Sequence, residues 1–232
     1  MPAPTLLIPL EFPDPDPLPS SFVSGFTSCK VTLLGLYETP TEVDPAERHR
    51  RTVESNYVLY SLAHQFIQQG ETAEVELVMD EDIETSPTTV AEEQDIDAVL
   101  VPNPITNLNR VLIAVRDETF AEPVEQFVGT LNEDVIQHLT LITVTDSEQT
   151  DEKETLLTSL RNRLVDAGFS KFAIDTNVIV SDDPSFAISQ AARDHDLIVM
   201  GETEQPATER VFGKTYESIA ERTDLPVVVL RE

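Results

Sequence analysis

Asp194-His195-Asp196-Leu197-Ile198-Val199-Met200, followed by Gly201, is the stretch on which the reading of the fold turns. Its apolar run is short, rich in Leu, Ile and Val, and free of strict polar alternation. A strand reads this way when helices cover both faces of a parallel sheet. The same text occurs earlier as Asp95-Ile96-Asp97-Ala98-Val99-Leu100-Val101. Two more patches recur in the same order. Leu6-Leu7-Ile8-Pro9-Leu10 corresponds to Val111-Leu112-Ile113-Ala114-Val115, and Lys30-Val31-Thr32-Leu33-Leu34 to His138-Leu139-Thr140-Leu141-Ile142. The offsets are about 105, 108 and 99 residues. A repeat of this size predicts two copies of a domain rather than a solenoid, whose units are shorter.

Outward from that stretch, short apolar runs at Arg110–Val115, Leu139–Val144, Asn177–Val180, Leu197–Met200 and Val227–Leu230 predict strands. Amphipathic segments lie between them. Glu152–Ala167 carries Leu156, Leu157, Leu160 and Leu164 on one helical face. Ser185–Arg193 follows Asp183 and Pro184, a suitable helix start, and repeats apolar residues at Phe186, Ala187, Ala191 and Ala192. Alternation of strand and helix with short links predicts an α/β fold with a doubly wound parallel sheet, ordered β-α-β-α-β-α-β-α-β in the second half. The first half is a reduced copy. Phe12–Ser21 is full of Pro and Asp and reads as a loop. Pro45–Gln69 reads as a long helix with apolar positions Val53, Val58, Leu59, Leu62, Ala63 and Phe66, and Ala73–Met79 and Asp97–Val101 as strands. The copy then stops: Pro102-Asn103-Pro104 leads directly into the second half, so a last helix and strand are missing. The expected organisation is a reduced domain over 1–107 and a complete one over 108–232, with the boundary near Asn107.

Composition narrows the function. With 40% hydrophobic residues a sizeable core can be buried. No apolar run reaches the roughly 18 residues that would predict a membrane span, and Met1-Pro2-Ala3-Pro4 lacks the basic and apolar regions of a signal peptide. A cytoplasmic protein without membrane insertion is expected. Cys29 has no partner for a disulfide and precedes an apolar run, so a buried structural thiol is expected. The four histidines show no metal-ligand spacing. The 43 acidic residues outweigh 15 basic ones, for a formal charge of −28. That charge repels phosphate backbones and speaks against nucleic-acid binding. It suits a halophilic setting, since near 1 M salt the Debye length falls to about 3 Å and self-repulsion is screened.

Around Gly201 the sequence resembles a known family. Asp196–Gly201, then Val211-Phe212-Gly213-Lys214, then Leu225-Pro226-Val227-Val228-Val229 is similar to the C-terminal part of universal stress protein domains. Through the internal repeat the resemblance extends, more weakly, to most of the first half. It implies two tandem Rossmann-like domains of the adenine-nucleotide-hydrolase-like type, usually dimeric through their last strands. It also implies an ATP loop of the form Gly-x-x-Gly, nine residues, Gly-Ser/Thr. Such glycines let backbone amides approach phosphate at a helix N-terminus. Carried onto this sequence, the loop residues are Gly201, Gly213, Lys214 and Thr215. The loop is degenerate: Glu204 replaces the second glycine, Gln205–Phe212 is one residue short, and Lys214 holds the hydroxyl position. Two like charges about 4 Å apart at an effective dielectric near 20 repel by roughly 4 kcal/mol, so Glu204 opposes phosphate, while Lys214 attracts it as a point charge. The aspartate implied at the end of the first strand is displaced, with Arg116 in that register and Asp117 after it. In the first half Pro102, which has no N–H, stands at the Gly201 position, and the loop behind it is absent.

No residue stands out as an acid, base or nucleophile. Asp80-Glu81-Asp82 and Asp182-Asp183 read as solvated acidic loops, and Ser181 and Ser185 lie in no nucleophile-elbow pattern. His195 reads as a turn residue before a strand. The expectation is therefore a protein of the stress-response type that is not an enzyme, works by association and needs no cofactor. The alternatives are a sensor that binds ATP or AMP with magnesium at the second domain, and a cytosolic accessory subunit of a transporter. The apolar last strand, Pro226–Arg231, reads as a sheet edge that must be covered, and a homodimer through the second domain is expected to cover it.

Overall fold

Successive strand residues point to opposite faces, and in this chain both faces are apolar. The computed structural model describes residues 3–40, 42–84, 86–101, 103, 105, 108–145, 149–201, 219 and 222–231. The first half contributes β1 (Thr5–Phe12), α1 (Ser20–Val23), β2 (Lys30–Glu38), α2 (Pro45–Gln68), β3 (Thr72–Asp80), α3 (Ser86–Glu93) and β4 (Ala98–Val101). The second contributes β5 (Arg110–Ala114), α4 (Ala121–Val128), β6 (His138–Thr145), α5 (Thr150–Asp166), β7 (Ile174–Val180), α6 (Pro184–Ala191), β8 (Leu197–Gly201) and β9 (Val227–Leu230). The expected strands and helices are present with ends shifted by a few residues. Phe12–Ser21 is a loop that runs into the short α1, as its prolines require. α3 has no clear sequence signal, because Ser86-Pro87-Thr88-Thr89 has more of a turn than of a helix. The helix expected before β9 falls almost wholly on residues outside those described.

All nine strands form one sheet, in the order β3-β2-β1-β4-β9-β8-β5-β6-β7. Every neighbouring pair is parallel except β4 with β9, which is antiparallel. Each half repeats the order of the other, β4-β1-β2-β3 against β8-β5-β6-β7. Register follows the sequence offsets. Leu6 lies opposite Ala98 as Val111 lies opposite Leu197, and Thr5 opposite Lys30 as Arg110 opposite His138. The recurring aspartates also share a task. Asp97 accepts the N–H of Thr5 at 2.7 Å, and Asp196 accepts those of Asn109 and Arg110, each at 2.9 Å. Each carboxylate thus ties the start of its half's first strand to the start of its fourth.

The fold is that of two Rossmann-like units with parallel strands, the first reduced, fused edge to edge. Only residues 102–109 separate β4 from β5, which leaves no room for a fifth strand of the first half. The vacant place beside β4 is filled by β9, with Ala98, Val99, Leu100 and Val101 opposite Leu230, Val229, Val228 and Val227. This corrects one expectation. The last strand is not an edge awaiting a second chain; it lies between β8 and β4. An unpaired row of backbone donors and acceptors takes whichever strand reaches it, and the β4 edge lies within the same chain.

On one face a single apolar cluster runs across both halves, including Leu6, Ile8, Phe22, Phe26, Val111, Ile113 and Phe127. On the other face the halves keep separate clusters, around Leu7, Leu34 and Val99 and around Leu112, Ile198 and Val229. The shared side is sewn together below the strands. The rings of Phe22 and Phe26 meet edge to face at 5.0 Å, and Phe26 meets Phe127 at 6.3 Å. Asn132 N–H donates to the Gly25 carbonyl at 2.8 Å, and Asn132 Nδ2 to that of Ser24 at 3.0 Å. Gly25 is demanded by this approach, since a Cβ there would stand 2.2 Å from Leu108 Cδ2.

Candidate functional site

In an open parallel sheet the crevice for a ligand lies beyond the carboxyl ends of the strands, where the strand order reverses. The second half reverses between β5 and β8, and the first between β1 and β4. At the end of β5 the chain turns through Arg116 and Asp117 into a 3-10 turn, Glu118–Phe120, that opens α4. Asp117 caps that turn. Its Oδ1 accepts the Thr119 N–H at 3.1 Å and its Oδ2 accepts Arg116 Nε at 2.8 Å. Burial alone would raise its pKa, but the hydrogen bonds from Arg116 and Thr119 outweigh this and hold it below the ordinary carboxylate value. Lys153 of α5 donates to the Arg116 carbonyl at 2.6 Å, closing the same corner.

Gly201, at the end of β8, is brought to this corner as expected. It touches an aromatic ring: a Cβ on Gly201 would lie 2.4 Å from Cδ1 and Cγ of Phe120, which is itself 3% exposed. The glycine is thus needed by the close approach of Phe120, a reason the sequence did not disclose. Gly213, Lys214 and Thr215, with Glu204 and Gln205–Phe212, lie outside the described residues, as does Pro102. Among the described residues, the carboxylate nearest the implied position, Asp117, caps its own 3-10 turn, and the buried Phe120 ring packs against Gly201.

The first half differs. A cavity of about 200 Å³ opens beyond the ends of β1 and β4, floored by Ile8, Leu10 and Leu100 and rimmed by Glu11, Asp14 and Asp16. Three carboxylates at the rim oppose phosphate. On its far side Asn103 Nδ2 donates to the Leu225 carbonyl at 2.8 Å, another tie between the halves.

The other candidates take structural places. Cys29 is 2% exposed, and burial, reinforced by the charge of Glu71, pushes its thiol up to about 12, far from a nucleophile's range. Glu71 accepts the N–H groups of Ser28 and Cys29 at 3.0 and 2.7 Å. His195 Nε2 lies 2.8 Å from Thr140 Oγ1, and burial, with the Arg110 charge, holds its pKa below the usual imidazole value. Asp183 caps α6 through the Phe186 N–H at 2.9 Å, and Ser181 hydrogen-bonds within the same turn. Among the described residues no group of three or more His, Cys, Asp or Glu could hold a metal ion, and no helix is long and apolar enough to cross a membrane.

A doubly wound parallel sheet with a crevice at the β5–β8 reversal defines a Rossmann-like α/β protein. Residues 107–231 match the sequence model of the universal stress protein family, and the chain belongs to that family. No curated protein matches it. Among solved structures, a universal stress protein from Archaeoglobus fulgidus DSM 4304 superposes with a TM-score of 0.61 at 15% identity, covering 98% of this chain and 96% of that one. A protein from Pseudomonas aeruginosa UCBPP-PA14 put forward as a universal stress protein gives 0.57 at 13%, over 99% and 93%. The cytoplasmic domain of a prokaryotic cation chloride cotransporter gives 0.57 at 14%, over 99% and 96%. At these identities the likeness is one of fold.

Proposed function

We propose that this chain is a tandem, non-catalytic member of its family that acts in stress response or regulation by associating with another protein, its second-half nucleotide site closed. The observation that carries this reading is Phe120 against Gly201, with Asp117 held back by Arg116 and Thr119. The ring packed on the glycine and the carboxylate engaged within its own turn support a corner not arranged to receive phosphate. The test is calorimetric titration of ATP with magnesium in roughly 2 M potassium chloride, where surface charge is strongly screened. Wild type gives no binding heat. Micromolar binding that is lost in Gly213→Val would overturn the reading in favour of an ATP or AMP sensor.

A second reading, an accessory domain working beside a transporter in the cytoplasm, is favoured by the end-to-end match to the cotransporter domain. Co-purification with a membrane carrier would select it. In either case the charge of −28 fits a halophilic cytoplasm. The thermal midpoint rises with potassium chloride as self-repulsion is screened; a midpoint unchanged between dilute buffer and molar salt removes this part of the proposal.

A further inference from the structure

α2 packs its inner face, Ser55, Leu59, Ala63 and Phe66, onto the sheet. Its outer face is also apolar. Val53 is 54% exposed, Tyr57 78%, Tyr60 63% and Ile67 51%. With exposed His64 these positions are spaced four, three, four and three residues apart, the spacing of a seam between two helices. Val53, an apolar position of the helix in the sequence, lies on this seam and not in the core.

The charge around the seam is as unusual as its apolarity. Charged residues make up 25% of the chain, yet from Ser55 to Gly70 there is no Asp, Glu, Lys or Arg. Before that stretch stand Arg48, Arg50 and Arg51, three of the chain's 15 cations, with Glu47 and Glu54 as their local acids. The helix therefore carries a net positive charge in a chain of net charge −28. This outer face is where a second acidic molecule can approach with least repulsion.

We propose that the outer face of α2 is a self-association surface, on which two copies of the chain pair helix against helix, antiparallel about Tyr60. The stripe is self-complementary in that arrangement: Tyr60 meets Tyr60, Tyr57 meets His64, and Val53 meets Ile67, as a two-fold interface allows. Charge selects the same direction. The last turn of α2 has no basic residue to offset its partial negative end. In the antiparallel pair the arginine-bearing first turns of each helix reach that end of the other, whereas a parallel pair sets arginine against arginine. A single helix pair sits at the small end of stable interfaces, so the dimer dissociates on dilution.

Sedimentation in roughly 2 M potassium chloride tests the surface. Wild type shows a concentration-dependent dimer, and Tyr60→Glu, which sets two carboxylates on the two-fold axis, is monomeric with an unchanged circular dichroism spectrum. Crosslinking tests the geometry without depending on that variant, since the native Cys29 is buried. Tyr60→Cys oxidises to a covalent dimer. Val53→Cys alone does not, because antiparallel pairing holds the two copies of residue 53 about 21 Å apart at 1.5 Å per residue. Val53→Cys combined with Ile67→Cys crosslinks again. A wild type that stays monomeric at all concentrations, or a dimer that survives Tyr60→Glu, overturns the surface, and efficient crosslinking by Val53→Cys alone overturns the antiparallel pairing.

Discussion

The two halves share a strand order and a register, yet they end differently. The first stops at β4. The second goes on to β9, and that one strand closes both. The same contrast holds at their crevices: the second half has a glycine covered by a phenyl ring, and the first an open cavity rimmed with acid. A four-stranded unit without a β-α end of its own is thus completed by a neighbouring strand that supplies the missing backbone partners. The first half therefore depends on the second for the strand beside β4.

That dependence can be broken outright. Residues 1–107 expressed alone expose the β4 edge and the Phe22–Phe26 face, and show no cooperative thermal transition. Residues 108–232, with all five strands, retain one. Calorimetry of the two pieces decides, and an independently folded first half would separate the halves that we describe as one sheet.

Phe127→Ala acts on the shared side of the sheet and costs about 3–5 kcal/mol, the usual loss for a buried phenylalanine. The full chain still unfolds in a single transition, because the residue belongs to the cluster that crosses both halves. Two transitions in the variant, read by denaturant titration with two probes, would mean that the seam is weaker than its contacts suggest.

A smaller effect sharpens the contrast between crevices. Gly201→Ala drives a Cβ into Phe120 and destabilises by about 1–3 kcal/mol, as overpacking does. In a Phe120→Ala background the same change is close to neutral, so a double-mutant cycle returns a coupling of similar size. Additive losses would place the ring elsewhere.

The smallest effect is electrostatic. Asp117 has a folded pKa below its unfolded value, so its contribution is complete above the ordinary carboxylate range and is lost as pH falls through the folded value. Asp117→Asn removes that part of the acid sensitivity, keeps the cap through its amide oxygen, and lowers stability at neutral pH only by the lost ion pair with Arg116. Urea midpoints between neutral and acid pH measure it.

Much of this was legible along the chain. The echo of Asp194–Met200 in Asp95–Val101 predicted two units, and the strand registers match the repeat offsets. Cys29 was expected to be buried because it precedes an apolar strand, and Asp183 to start a helix because Pro184 follows it. These readings rest on local periodicity and on side chains whose preferences are written in sequence. Phe120 was not read as the neighbour of Gly201, since the two are joined only by packing across the sheet. Val53 and Phe186 were counted as apolar helix positions and proved 54% and 51% exposed, because composition marks an apolar residue but not what covers it.

The sequence by itself determined the strands, their parallel direction within each half, the missing end of the first half and the excess of acid. Only the tertiary structure decided that β9 completes the first half's sheet, that Phe120 covers Gly201, and that the uncovered apolar stripe lies on α2. The physical reason is common to all three. Strand edges are recognised through backbone groups that every residue carries, and a packed neighbour is chosen by proximity in the folded chain, so neither choice leaves a mark in the local order of side chains.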